Sequence, residues 1–390
     1  NITTFLTGVV LYAFGVGPIR GFAVALMIGI ITSLISALII TRLILDYYAN
    51  KGGTSIAFGT PATTGLFDRL KLNMVGRRKK FYTLSAALVG ISILSMIFIG
   101  FKTGVDFQGG RQFVVAFEDA QGQPKDLDPG TIQDIRKSLQ TAWNNEEPVV
   151  KTMSNKNQLM ITTSYLKDQS GDMEGTKTSV TEEVMSGLAS GIKTNFPNYD
   201  SEWIQSSSMV GPTLADDIRD AALYAIVFSL LIIFLYILIR FRKWQYSAGA
   251  IAALFHDVLI VLGIFSLLRI IDPSFFNVEI NQAIIASLLT IIGYSINDTV
   301  VVFDRIRENI GEMKASSLED VYNVSIDQTL SRTLITSVTT LLVILILFIF
   351  GGAALKGFTF ALLVGVAVGT YSSVCIATPI VVDYIKKFGK

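Results

Sequence analysis

Ile291-Ile-Gly-Tyr-Ser-Ile-Asn-Asp298-Thr-Val-Val-Val-Phe-Asp304-Arg305-Ile-Arg-Glu-Asn309 begins as part of a long apolar helix and ends as a charged one. At a rise of 1.5 Å per residue, Asp298 lies about 9 Å inside the boundary marked by Asp304 and Arg305. A carboxylate at that depth in a bilayer costs about 2.5–3.5 kcal/mol even on the most lenient insertion scale, so it needs a partner or a purpose. Two readings stand: a carboxylate paired for structure, or a relay for protons or cations.

The rest of the chain supports the membrane setting. Apolar residues make up 51% of it, charged residues only 16%, and the mean hydropathy is +0.53. This excludes a disordered chain, and the near-zero net charge gives no argument for nucleic acid. One histidine and one cysteine, Cys375 in an apolar run, leave no zinc cluster, internal disulfide or Cys/His nucleophile to propose. The first residue is Asn1, with no basic-start signal segment, and the chain reads as a piece of something longer.

Eight apolar segments are expected to span, at 2–16, 20–45, 82–101, 216–239, 246–269, 281–303, 330–350 and 357–380, the first of them short. Basic residues gather in alternate loops: Arg42 to Lys80, Arg240 to Lys243, Arg305 to Lys314, and Lys386 to Lys390. The other side holds Arg20, Arg269 and Lys356. The positive-inside rule then places the basic set, and both ends of the chain, in the cytoplasm.

Residues 50–66 have linker composition, rich in Gly, Ser and Thr. The large polar stretch 102–213 reads as an external α+β domain. Strand patterns at Arg111–Phe117, Pro148–Met153, Gln158–Tyr165 and Glu202–Met209 alternate with helical spacing at Pro129–Trp143 and Val180–Phe196. The order βαββαβ is the split-βαβ, ferredoxin-like arrangement. It holds no catalytic constellation and reads as a binding module or a structural cap. Thr213 followed by Asp216 fits an N-cap with an acid at N3 for the next span.

The chain repeats itself. Thr3-Thr-Phe-Leu6 matches Thr339-Thr-Leu-Leu342, and an offset of 336 then runs on without gaps. It pairs Leu11, Phe14 and Gly15 with Leu347, Phe350 and Gly351, Phe22 with Phe358, Ser36 with Ser372, and Tyr48 with Tyr384. Two copies of one orientation imply a parallel repeat about the membrane normal. The rear copy completes a six-span unit, so the inferred whole is 6+6 and this chain is its last eight spans.

Arg332 is the expected partner of Asp298, at similar depth on the next, antiparallel helix; a proton arriving on Asp298 would release it. Around them, Ser295, Asn297, Thr299, Thr333, Thr336, Ser337, Thr339 and Thr340 either line a hydrated path or bond to their own helix backbone. His256-Asp257 lies mid-span; adjacent residues on a helix point in different directions, so no simple dyad is expected. Asp257 is a second intramembrane acid and a candidate for ion passage, and His256 a hydrogen-bonded packing residue. Glu279-Ile-Asn-Gln282 is a mouth or an interfacial anchor.

These motifs resemble the SecD/SecF family of the bacterial Sec export machinery, in its fused form, SecDF. Asn1-Ile-Thr-Thr4 and Gly15-Val-Gly-Pro-Ile-Arg-Gly-Phe-Ala23 resemble the end of SecD. Gly104-Val-Asp-Phe-Gln-Gly-Gly110, Val210-Gly-Pro212, Phe255-His-Asp-Val258, Gly293-Tyr-Ser-Ile-Asn-Asp298, Val302-Phe-Asp-Arg-Ile-Arg-Glu-Asn309 and Gln328-Thr-Leu-Ser-Arg-Thr-Leu-Ile-Thr-Ser337 resemble SecF. The resemblance implies residues 1–48 as the last two SecD-like spans, 49–66 as a cytoplasmic linker, and 67–101 as the first SecF-like span. It implies 102–213 as a periplasmic domain and 214–390 as five further spans. It implies an α-helical polytopic protein of the bacterial inner membrane and of the RND superfamily. Such a protein, with no cofactor or metal and no enzymatic activity, uses a proton or sodium gradient to promote the late, periplasmic step of export. Ion coupling then falls to Asp298 and Arg332, with Asn297 and Asp257 beside them and Ser295, Thr299, Thr336 and Thr340 lining the path. The implied partners are SecYEG, the unfolded secretory polypeptide, YajC and YidC, and the lipid bilayer. An ionisable residue on the fourth span of the SecD half has no counterpart here. Two other readings remain open: an RND-type exporter of small molecules or lipids, and a non-conducting translocon scaffold.

Overall fold

A computed structural model of the protein describes residues 1–15, 18–51, 73–119, 121–153, 155, 157–169, 179–271 and 279–388. From residue 52 onward the expected linker lies outside them. The chain opens with α1 (Ile2–Phe14), α2 (Pro18–Ile35), α3 (Thr41–Asn50) and α4 (Arg78–Phe98). An α/β domain follows, made of α5 (Val105–Gln108), β1 (Gly110–Ala116), α6 (Pro129–Ala142), β2 (Val149–Thr152), β3 (Gln158–Thr163), α7 (Val180–Lys193) and β4 (Ile204–Val210). The helical part resumes with α8 (Pro212–Phe241), α9 (Trp244–Ile271), α10 (Gln282–Glu312), α11 (Leu318–Phe350), α12 (Gly352–Ser372) and α13 (Thr378–Phe388).

Among the described residues, seven helices are long and apolar enough to cross a bilayer: α2 continuous with α3, α4, α8, α9, α10, α11, and α12 continuous with α13. The 13-residue α1 is about 20 Å long, short of the ~30 Å hydrocarbon core. The helix that carries Asp298, α10, is the best covered of the seven. Two thirds of the apolar stretch of α10 (67%) is buried, against 17% for α4 and for α11 and 6% for α2–α3. The poorly covered helices carry the exposed Ile28, Leu38, Leu43, Leu94, Ile239 and Ile346. Such faces are stable only where the surroundings are themselves apolar, as in lipid.

The α/β domain keeps the expected element order. Its four strands form one antiparallel sheet in the order β2-β3-β1-β4. Every second residue of β1, β2 and β3 faces α6 and α7, whose own apolar stripes close the core. Phe113, Val115, Leu159 and Ile161 meet Ile135, Leu139, Val184, Leu188 and Ile192, all essentially inaccessible. Asp128 caps α6, and Ser179 with Glu182 forms a reciprocal capping box on α7. The chain enters β1 through Gly109 and Gly110, at φ +77° and +141°; a Cβ on Gly110 would stand 2.5 Å from the Thr163 carbonyl oxygen. One local expectation fails. Thr213 does not cap α8, which starts at Pro212 with Gly211 as N-cap, because proline already suits the first helical position.

The repeat is visible in three dimensions. Gly15 and Gly351 end equivalent helices, each donating its N–H to a leucine carbonyl, Leu11 and Leu347, at 2.8 Å. Each copy then carries one π-helical turn, Ser36–Ile40 and Ser373–Ala377. In each, a threonine hydroxyl bonds back five residues at 3.0 Å, Thr41 to the Ser36 carbonyl and Thr378 to that of Ser373. The offset here is 337, which corrects the ungapped alignment: Ser36 corresponds to Ser373 and Tyr47 to Tyr384. Thr41-Arg-Leu-Ile-Leu-Asp-Tyr47 then lies on Thr378-Pro-Ile-Val-Val-Asp-Tyr384. Apolar helices match one another in any register, and the geometry of the turns exposes the extra residue. Phe22 and Phe358, equivalent by the repeat, meet edge to face with centroids 5.6 Å apart. Equivalent residues touch only at the axis relating their copies.

Candidate functional site: two buried carboxylates and the hydroxyls between them

Asp257 on α9 is 1% exposed. Its Oδ2 accepts hydrogen bonds from Ser295 Oγ of α10 at 2.7 Å and from Ser372 Oγ of α12 at 2.8 Å. Its Oδ1 lies 2.9 Å from His256 Nδ1. His256 Nε2 in turn lies 3.1 Å from Ser85 Oγ on α4, which is 3.0 Å from the Tyr371 hydroxyl. Four helices thus meet on one carboxylate and its histidine. The expectation that His256 and Asp257 diverge fails: the imidazole turns Nδ1, the nitrogen nearer its own backbone, towards the neighbouring carboxylate. With Asp257 ionised, Nδ1 carries the proton and Nε2 accepts from Ser85.

Close approach makes this possible. Gly369 lies where a Cβ would come within 2.9 Å of that of Ser295 and 3.5 Å of Asp257 Oδ2. Any larger residue there would push α12 off α10.

Asp298 is 4% exposed and sits one turn beyond Ser295 on α10. Ser337 of α11 approaches its Oδ2 at 3.5 Å, and Thr370 of α12 reaches Ser337 at 2.7 Å. One turn of α12 therefore serves both acids, Thr370 through Ser337 towards Asp298 and Ser372 directly to Asp257. On the far side of α10, Thr4 of α1 donates to the Gly293 carbonyl at 3.1 Å, so α1 closes the helix opposite.

The expected ion pair between Asp298 and Arg332 is not formed. Arg332 is exposed and acts on Asp298 through its field only. Depth and azimuth both misled: Ser337 stands level with Asp298, and Arg332 lies five residues, about 7.5 Å, nearer the start of α11. Arg332 precedes Ser337 by five residues, about 140° around α11, so the two cannot face α10 together. Asn297 is half-buried beside Asp298, with no hydrogen bond from its amide among the described residues. Thr299, Thr336 and Thr340 each donate to a backbone carbonyl four residues back, at 2.8–3.1 Å, and Tyr294 reaches Thr340 at 3.5 Å. Of the four expected lining residues, Ser295 alone gives its hydroxyl to an acid. Ser85, Thr370 and Tyr371 had no distinguishing signal in the sequence, and Ser372 was marked only by the repeat.

A second feature lies where the α/β domain meets the bundle. A cleft of about 630 Å³ is walled on one side by Gln112, Met160 and Ser208 of the sheet. Phe22 and Phe358 line its other side. The cleft therefore stands over the repeat axis.

Fold and site define a polytopic helical membrane protein built on a duplicated helical unit, with ionisable groups buried at the centre of the bundle. Residues 192–387 match the family described as protein export membrane protein SecD/SecF, C-terminal, and residues 94–121 match the SecD/SecF GG motif, which contains Gly109-Gly110. The chain belongs to the SecD/SecF family. Protein translocase subunit SecF of Rhodothermus marinus is 45% identical over 318 residues, covering 82% of this chain and 94% of that one. Protein translocase subunit SecDF of Brucella abortus is 34% identical over 391 residues, covering 98% and 46%. The crystal structure of SecDF from Thermus thermophilus matches with a TM-score of 0.77 at 30% identity, over 99% of this chain and 47% of that one. The chain thus spans nearly all of the SecF relative and about half of the SecDF ones.

Proposed function

We propose that this chain is the SecF part, with the last SecD helices, of a Sec translocase accessory that uses a proton or sodium gradient to promote the late, outer-side step of protein export. The observation that carries this reading is the pair of acids, Asp257 and Asp298, buried on adjacent helices and joined to one turn of α12 by hydroxyls. Burial makes the charged form of each costly, so uptake of a proton or cation there changes which packing of α10 and α12 is preferred. Exposed Arg332 is the cation placed to answer a change at Asp298, with Asn297 beside it; Ser295, Thr299, Thr336 and Thr340 supply the polar surface around them.

The arrangement in the membrane follows from the basic loops: both ends of this chain cytoplasmic and the α/β domain on the other side of the inner membrane. Counting α1 gives eight spans, the last eight of a 6+6 parallel repeat, a count supported by the equivalent π turns. The element order and strand order of the domain support a ferredoxin-like assignment. The partners are the SecYEG translocon and the emerging polypeptide, with YajC and YidC as further associates, and the only small species handled are H+ or Na+.

Ion flux through proteoliposomes of the full-length protein tests the reading. Asp298→Asn should abolish gradient-driven flux and the gradient-dependent gain in export while the protein still accumulates in the membrane. Flux that persists with the substitution excludes a relay through Asp298.

A further inference from the structure

The root of the α/β domain is fastened to the outer end of α10 by three kinds of bond. Asp106, in the turn leading to β1, accepts at 2.9 Å from the backbone N–H of Gln282, the first residue of α10. An N–H in that position has no partner within its own helix, and a carboxylate there also meets the positive end of the helix dipole. Asn281 satisfies the N–H of Ile284 at 3.1 Å, so α10 is capped jointly by its own residue and by the domain. Glu279, 8% exposed, holds Lys151 of β2 at 3.1 Å and Lys102 at 3.4 Å. Between these lies a short backbone ladder, with Gly104 N–H to the Ile280 carbonyl and Ile280 N–H to the Lys102 carbonyl, both at 2.8 Å.

These contacts single out α10. It is the best-buried helix of the bundle and the one that carries Asp298, about 24 Å further along a single unbroken helix. Charge-assisted bonds are about twice as strong as neutral ones, and the Glu279 carboxylate that makes one to Lys151 is itself buried.

We infer that Asp106, Lys151 and Glu279 form the joint through which α10 and the α/β domain move as one body, so that displacement of α10 at Asp298 is delivered to the domain. The inference rests on the ion-driven reading above and names its coupling residues. Asp106 and Lys151 are positioning residues: they touch no ion, and their loss should uncouple flux from export rather than stop flux.

Asp106→Ala and Lys151→Met, each in the full-length protein, test this with three readouts in the same membranes. Hydrogen exchange at the Gln282 amide should rise at least tenfold in Asp106→Ala. Ion flux should stay within twofold of the parent in both variants, while gradient-stimulated export falls at least fivefold. If flux and export decline in equal proportion, or export is unchanged, the joint does not couple; if the amide stays protected, Asp106 is not the cap. Should Asp106→Ala fail to accumulate, Lys151→Met, at a half-buried position in the domain, reads the same joint through its ratio of export to flux. Failure of the ion-driven reading itself appears separately, as parental flux that does not depend on Asp298, and it overturns the coupling role while the exchange result still decides the cap.

Discussion

Ser295 of α10 gives its hydroxyl to Asp257 of α9 across 2.7 Å, inside a bundle where neither side chain is more than 1% exposed. Replacing the acid separates its structural from its chemical part. Asparagine at 257 keeps an acceptor for the serines, and the imidazole can change tautomer to accept from the new amide. Asp257→Asn is therefore expected to fold and to impair ion movement. Asp257→Leu leaves His256 Nδ1 and the Ser295 hydroxyl without their partner, whereas Ser372 still has the Gly369 carbonyl at 3.2 Å. Its cost should be about 2–6 kcal/mol, at about 1–3 kcal/mol for each of two orphaned buried polar groups. Thermal unfolding in detergent should show a lower midpoint for the leucine variant only; equal midpoints would mean that Asp257 does not hold the helices together.

Packing at Gly369 supplies a second test. A Cβ there would meet Ser295 at 2.9 Å, and its neighbours are a helix and a hydrogen-bonded acid rather than the end of a flexible chain. Gly369→Val should cost about 1–3 kcal/mol by overpacking and lengthen the Ser372–Asp257 contact. Gly311 has open space around it, and Gly311→Ala should not destabilise the protein. Unfolding midpoints for the pair, measured side by side, check the contrast, and a tolerated valine at 369 would refute it.

The sequence displayed α10 as a spanning helix with an acid inside it, because a bilayer imposes a length on apolar runs and an acid within one stands out against it. The βαββαβ domain was readable for the same kind of reason: period-two and helical spacing survive in Phe113, Val115, Ile135 and Leu139 without any knowledge of neighbours. The meeting of Ser295, Ser372 and Asp257 was not readable. It depends on the azimuth of three helices, and serines bonded to an acid look like serines bonded to their own backbone. Arg332 was misplaced for a related reason: it lies more than a turn from the α11 residue level with Asp298, and on another face. The 337-residue offset was hidden because greasy helices match in any register, until the two π turns fixed which serine answers to which.

Acidity should act in opposite senses on two carboxylates of the α/β domain. Hydrogen bonds from the Thr131 hydroxyl and from the Thr131 and Gly130 amides hold Asp128 below the usual carboxylate range. A depressed native pKa contributes stability that is complete above the ordinary value and disappears as pH falls through the native one. Asp128→Ala should therefore show a constant deficit near neutrality that closes in strong acid. Burial pushes Asp106 upward, with Glu279 adding to it and the Gln282 amide and Lys151 opposing. The native state then holds that proton more firmly than the unfolded one. Stability attributable to Asp106 should fall as pH rises from the ordinary carboxylate value through the raised one, with no such penalty below. Unfolding midpoints of the parent, Asp128→Ala and Asp106→Asn from strong acid to neutrality should give difference curves of opposite slope.

The equivalent π turns predict an asymmetry between the two halves of the repeat. Thr41 and Thr378 make the same 3.0 Å hydroxyl bond to a carbonyl five residues back, but Thr41 is exposed and Thr378 is wholly buried. Valine keeps the shape and removes the donor. At 378 the Ser373 carbonyl loses a partner where no solvent can replace it, a loss of about 1 kcal/mol, or nearer 0.6 kcal/mol by the average for side-chain hydrogen bonds within membranes. At 41 the carbonyl of Ser36 keeps the Thr41 backbone N–H, so little should change. Thr378→Val should lower the unfolding midpoint and Thr41→Val leave it in place. Equal effects at both positions would mean that the hydroxyl serves the turn itself, independent of what packs around it.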